Sequence, residues 1–167
     1  MPDCCIEITN EIPRYRLSKK KIRSTLGKIL KVLGWKKAGL GLWLVSDRKM
    51  SRLNWQYLHH RGPTDVISFS LLERRSRPQK GSDPFYVKRG LTPFVSPLGD
   101  LIISMDTTAR QARQYGNCFE YEFFFYVCHG ILHLMGYDDR TPKQAKAMER
   151  KQMAILRKIG VKNRQSA

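Results

Sequence analysis

The stretch from Phe119 to Met135 constrains the fold more than any other part of the chain. Phe123 to Cys128 is the longest apolar run, bounded by Glu122 and His129. Read as a helix that stops at Gly136, the segment is buried at its start, so other elements have to cover it. Its far end differs in kind. His129 and His133 stand four apart, on one helix face and one turn, or roughly 6 Å, along the axis. Imidazole nitrogens at that spacing can meet one ion at about 2.0–2.1 Å. Gly136 accepts the positive φ of a chain reversal without strain. Asp139, just beyond the turn, can then return a third donor. Two histidines and a carboxylate with an open position form a catalytic zinc set, and iron or nickel also suits such donors. The expectation is one metal ion per chain, zinc first, held by His129, His133 and Asp139.

The spacing His-x3-His-x2-Gly-x2-Asp matches that of metzincin proteases, which carry His in the last place. Those proteases need a glutamate general base directly after the first histidine. This chain has Gly130 there, which argues against peptide hydrolysis.

Around this helix the sequence alternates strands and helices. Cys5 to Thr9 reads as a strand with Ile6 and Ile8 on one side. Ser18 is a candidate N-cap for a helix carrying Ile22, Leu26, Ile29, Leu30 and Leu33, with Gly34 as its C-cap. Its other face holds Lys19, Lys20, Lys21, Arg23, Lys28 and Lys31, which can touch phosphate. Leu40 to Val45 is a second strand. A helix from about Arg48 to Tyr57 buries Met50, Leu53 and Tyr57. Val66 to Phe69 and Leu98 to Ser104 are further strands. A helix opens at Met105-Asp106-Thr107-Thr108 and stops at Gly116. Thr141-Pro142 with Gln144 is a capping box for a last helix, whose apolar residues are Met148, Met153, Ile155, Leu156 and Ile159. The fold expected is α/β (α+β-like): a single domain over 1–167, a mixed sheet of about four strands against four or five helices. The segment 73–97 stands apart as a basic loop excursion with Arg74, Arg75, Arg77, Lys80, Lys88 and Arg89. Phe85, Tyr86 and Phe94 there can stack on bases or pin the loop.

Charge narrows the partners. Lys and Arg number 31 against 14 Asp and Glu, a formal net charge of +17. So large a surplus favours a polyanion, nucleic acid foremost and anionic membrane as the rival. No apolar run approaches the roughly 18 residues that cross a bilayer, and Met1-Pro-Asp-Cys-Cys lacks the basic start and apolar core of a signal peptide. These features read as a cytoplasmic protein. The four cysteines contain no Cys-x-x-Cys pair and read as reduced thiols.

The run His129-Gly-Ile-Leu-His133-Leu-Met-Gly136-Tyr-Asp138 resembles the motif of the YbeY family, metal-dependent endoribonucleases of ribosomal RNA maturation. Leu53-Asn54, Pro63-Thr64-Asp65-Val66-Ile67-Ser68-Phe69 and Leu98-Gly99-Asp100-Leu101-Ile102-Ile103-Ser104 fit that family in the same order. The resemblance covers about Cys5 to Leu156. It implies cleavage of single-stranded or ribosomal RNA, with the small ribosomal subunit or its proteins as partners. Two departures stand out. The family's third ligand is His where this chain has Asp139. The family also places an Arg after the aromatic that follows Asn-x-x, and here Tyr57 is followed by Leu58. Arg61 is the nearest cation to take that place as a catalytic residue. Asp138 and His60 are candidates for a general base. A rival reading is a non-catalytic RNA- or ribosome-binding factor with a structural metal, which Leu58 favours. A metalloprotease is the third.

Overall fold

The computed structural model describes residues 4–72 and 96–164. Four strands, β1 (Cys5–Asn10), β2 (Ala38–Val45), β3 (Val66–Ser70) and β4 (Ser96–Ser104), form one sheet in the order β1-β2-β4-β3. β1, β2 and β4 run parallel, and β3 is antiparallel to β4. Five helices accompany them: α1 (Lys19–Val32), α2 (Asp47–Leu58), α3 (Met105–Tyr115), α4 (Phe119–Leu134) and α5 (Pro142–Lys158). The mixed sheet with its helices is the α/β arrangement expected. The basic excursion at 73–97 lies outside the described residues except at its end. Ser96 and Pro97 already belong to β4, paired with Ala38 and Gly39 of β2.

The two sides of the sheet follow from strand alternation. Leu101 and Ile103 of β4 and Leu40, Leu42 and Leu44 of β2 face α1, α4 and α5, where Ile22, Leu26, Phe123, Phe124, Ile131, Met148 and Leu156 complete the larger core. The intervening Ile102 faces the other way and joins Ile67, Val45, Met50 and Leu53 beneath α2. Tyr57, expected to be buried, is half-buried and lays its ring edge-on to Phe69 at 5.2 Å. Position 54, not 57, supplies the third buried residue of α2.

The helix starts are specified locally. Ser18, Ser46 and Ser104 each accept a hydrogen bond from the backbone N–H three residues on, which satisfies one of the orphan donors of each first turn. Thr141 and Gln144 make the reciprocal capping box of α5. Asp47 and Asp106, each in a first turn, tie the elements together. Asp47 accepts from Ser104, Thr107 and Arg110. Asp106 accepts from the Asp47 N–H and Tyr15 hydroxyl, and pairs with Arg14. Burial alone would raise both acids, but the bonds they accept outweigh it and hold each below the ordinary carboxylate range. The folded state therefore favours the charged forms. This stabilisation is complete above the unfolded carboxylate pKa of about 3.9 and fades as pH falls through the depressed folded values. Urea unfolding at pH 7 is expected to show a loss of about 1–3 kcal/mol for Asp47→Asn. That difference should shrink toward pH 3, and a deficit that does not change with pH would refute the account.

Candidate metal centre

α4 is apolar nearly throughout because it is enclosed by β3, β4, α3 and α5. Its buried residues run from Glu122 to Leu134, with His129 and His133 left half-buried on one side. Gly130 explains how the helix is turned. A Cβ there would stand 2.6 Å from Leu101 Cδ2 and 3.1 Å from Val66 Cγ2. Position 130 thus faces the sheet, and a glutamate base placed there has no room. The protease reading fails on packing as well as on residue type.

The helix closes at Met135, and Gly136 (φ 93°) turns the chain. Asp138 Oδ1 accepts from the N–H groups of Asp139 and Arg140, at 2.8 and 3.3 Å, and its Oδ2 meets Arg140 Nε at 3.1 Å. Asp138 is thereby engaged in shaping the turn, and the turn aims Asp139 back at the helix. His129 Nε2 and His133 Nε2 lie 3.0 Å apart. Asp139 Oδ2 is 3.4 Å from the first and 3.5 Å from the second. Donors each about 2.0–2.1 Å from a tetrahedral ion stand about 3.3 Å from one another, so this triangle fits one small cation. These three residues are the one such cluster among the described residues.

Hydrogen bonds behind the ligands fix the ring nitrogens. His133 Nδ1 lies 3.0 Å from the Tyr137 carbonyl, which can only accept, so Nδ1 carries the proton. His129 Nδ1 lies 3.1 Å from Gln152 Oε1. The Gln152 amide is oriented by its own Nε2, which donates to Phe125 O at 3.2 Å, so its oxygen faces the histidine. Both imidazoles are thus held through Nδ1 and turn Nε2 toward the centre, the arrangement that orients a metal-binding histidine. Gln152 was missed in the sequence. Met153 was counted among the apolar residues of α5, yet it is 50% exposed while Gln152 is 2% exposed. The signal was present: Gln152 shares a helical face with Met148, Ile155 and Leu156, and a polar residue in such a stripe needs a buried partner. Gln152→Ala is expected to weaken metal binding by about 10- to 100-fold, measured by competition with a chelator; unchanged affinity would leave Gln152 a core residue only.

Beside the ligands lies a cavity of about 310 Å3 lined in part by Asp65, Tyr126, His129, Asp139, Glu149 and Gln152. Asp65 Oδ1 accepts from the Val66 N–H at 2.7 Å and from Thr64 at 3.2 Å. Burial, with help from Glu122, raises the Tyr126 phenol, which keeps it neutral. Burial pushes the Cys128 thiol up to about 12, so the cysteine preceding His129 is an inert core residue. All four cysteines are free.

Arg61 does not line this cavity. It is exposed, between His59 in the left-handed region (φ 55°) and Gly62 (φ 84°). Asn54, buried at 4% exposure, clamps this turn by donating from Nδ2 to Gly62 O at 2.9 Å. The turn leads through Pro63 and Thr64 into Asp65. Leu58 is 45% exposed.

The fold and the donor set are those of a metal-dependent hydrolase. Residues 7–160 match the family described as Endoribonuclease YbeY, and the chain belongs to that family. It is similar to the Endoribonuclease YbeY of Anaeromyxobacter sp., 35% identical over 156 residues that cover 93% of this chain and 72% of that protein. With the Endoribonuclease YbeY of Moorella thermoacetica it shares 37% identity over 161 residues, 93% of this chain and 97% of the relative. A solution structure of a Thermotoga maritima protein matches with a TM-score of 0.57 at 25% identity, covering 92% of this chain and 88% of that one. No helix among the described residues is long and apolar enough to cross a membrane.

Proposed function

We propose that this chain is an endoribonuclease that prefers single-stranded RNA and acts in the cytoplasm in ribosomal RNA maturation and ribosome quality control. The proposal includes one zinc ion at His129, His133 and Asp139, and the small ribosomal subunit or its proteins as partners. The observation that carries it is the convergence of two imidazole Nε2 atoms and one carboxylate oxygen beside an open cavity. Membership of the family supports the reaction class, and the net charge of +17 supports a polyanionic substrate.

When bound, the ion supplies a Lewis acid that makes water nucleophilic near neutral pH and polarises a phosphoryl oxygen. The chain has to do the rest. Hydrolysis joins the water oxygen to phosphorus and releases one ester oxygen, so the water's proton needs an acceptor. Asp65 suits that role: it lines the cavity beside His129, and its Oδ1 is anchored by the Val66 N–H. Charge gathering on the phosphate needs a cation, and Arg61 is the candidate. Phosphate contacts of this kind position RNA without reading its sequence.

The test is elemental analysis of the purified protein alongside cleavage of single-stranded RNA with and without chelator. One zinc per chain and chelator-sensitive cleavage are expected. Full metal occupancy without cleavage would favour the second reading, a ribosome- or RNA-binding factor with a structural metal, for which Leu58 is the observation. Cleavage indifferent to chelator would remove the metal from the mechanism.

A further inference from the structure

Among the described residues the sheet has an open edge at β1, the end of the strand order opposite β3. There β1 pairs with β2 alone. The Glu11 N–H donates to Leu44 O, which fixes the parity of the ladder. In the parallel register from Cys5↔Gly39 to Asn10↔Leu44, the odd-numbered residues bond β2, so the N–H and C=O groups of Ile6 and Ile8 point outward. Arg23 Nε donates to Ile6 O at 3.3 Å, which places that open side next to α1.

Along this edge runs a groove of about 900 Å3 between β1, α1 and the connection into β2. Cys4, Ile6, Gly27 and Trp35 give it an apolar floor, and Arg23, Lys28, Lys31 and Lys36 line it with charge. Two features mark it as more than a solvated face. Gly27 sits in the interior of α1, where glycine is the poorest helix former after proline, and it lines the groove. Lys28, Lys31 and Lys36 meet no carboxylate among the described residues, whereas Lys21 and Lys49 nearby do. Exposed edges are normally blunted, because a free ladder recruits further strands.

We infer that this edge docks an extended, acidic segment of a partner protein, added to the sheet beside β1. Backbone groups of the segment would pair with the Ile6 N–H and with both backbone groups of Ile8, while Ile6 O keeps its bond from Arg23. Apolar side chains on its α1 side would enter the groove, and its carboxylates would meet the lysines and Arg23. Nucleic acid fits less well. Its sugar-phosphate chain cannot satisfy alternating N–H and C=O groups, and the groove offers one aromatic ring, Trp35, already half-buried. The inference is independent of the metal site.

The probe is a fluorescent peptide of about ten residues alternating glutamate and valine, long enough to match one strand, titrated against the full chain. Three companions are used: the same peptide with lysine for glutamate, the same peptide N-methylated at alternate amides, and a single-stranded RNA of similar length. Binding of the acidic peptide is expected, at least about tenfold tighter than either altered peptide. The double variant Lys28→Glu with Lys31→Glu and the groove-filling Gly27→Leu should each weaken it, with circular dichroism confirming that both fold. The N-methylated comparison holds even where a variant misfolds. No binding of the acidic peptide, or equal binding of the N-methylated one, would overturn the inference. So would RNA that displaces the peptide and alone loses affinity in the double variant, which would assign this face to RNA.

Discussion

His133→Ala is expected to leave the protein folded but bring bound metal well below one per chain and reduce RNA cleavage to background. The fold should survive because His133 stands at the end of α4 and its side chain is 28% exposed. Its own structural bond, to the Tyr137 carbonyl, lies in a turn that Gly136 and Asp138 already define. The site should not survive. His133 Nε2 is one corner of the only donor triangle among the described residues, and two donors hold an ion far more weakly than three. The loss should therefore exceed the about 10- to 100-fold typical of a missing outer partner. Elemental analysis and circular dichroism on one preparation check both halves. Full occupancy in this variant would dismantle the assignment. Asp139→His makes a useful companion: it keeps a donor at the third corner and should retain the metal.

The second large effect is expected at Arg61. A phosphate under attack carries more negative charge on its oxygens than the substrate does. One guanidinium can stabilise that difference, because its fork grips two oxygens. Arg61 rides on a turn pinned from within by Asn54, and the same turn delivers Asp65 to the cavity beside His129. Arg61→Ala is expected to lower turnover by about 10- to 1,000-fold with little change in RNA affinity, the pattern of an interaction made in the transition state. An Arg61 that only belongs to the basic surface would weaken binding slightly and spare turnover. Leu58→Arg is the sharper companion. Leu58 is 45% exposed, so the change should cost little stability, and activity should rise if the missing cation limits the enzyme. If Arg61→Ala keeps full turnover and Leu58→Arg adds nothing, neither position carries the chemistry.

Much of this was legible because it is local. Helix starts declare themselves through Ser18 and Thr141, whose side chains cap their own first turns. The donor cluster was legible for the same reason: His129, His133 and Asp139 fall within one helix end and one turn. What escaped was contributed from a distance. Gln152 comes from α5 and Asp65 from the entry to β3, and no spacing rule links either to His129. The apolar pattern of α5 misled by one position, because hydrophobicity alone puts Met153 among its apolar residues and passes over the polar Gln152. The clasp of Asp47 with Ser104, Thr107 and Arg110 was hidden likewise, as it joins two separate helix starts.

The bond between His129 and Gln152 has a consequence for the order of events during synthesis. Synthesis runs from the N-terminus, so α5 is made after α4. All three ligands and Asp65 precede α5, but the imidazole of His129 is held by a residue of α5. A nascent chain can thus present every ligand while one of them is still free to spin. The donor triangle is therefore fully oriented only once α5 has been made and has docked on α4.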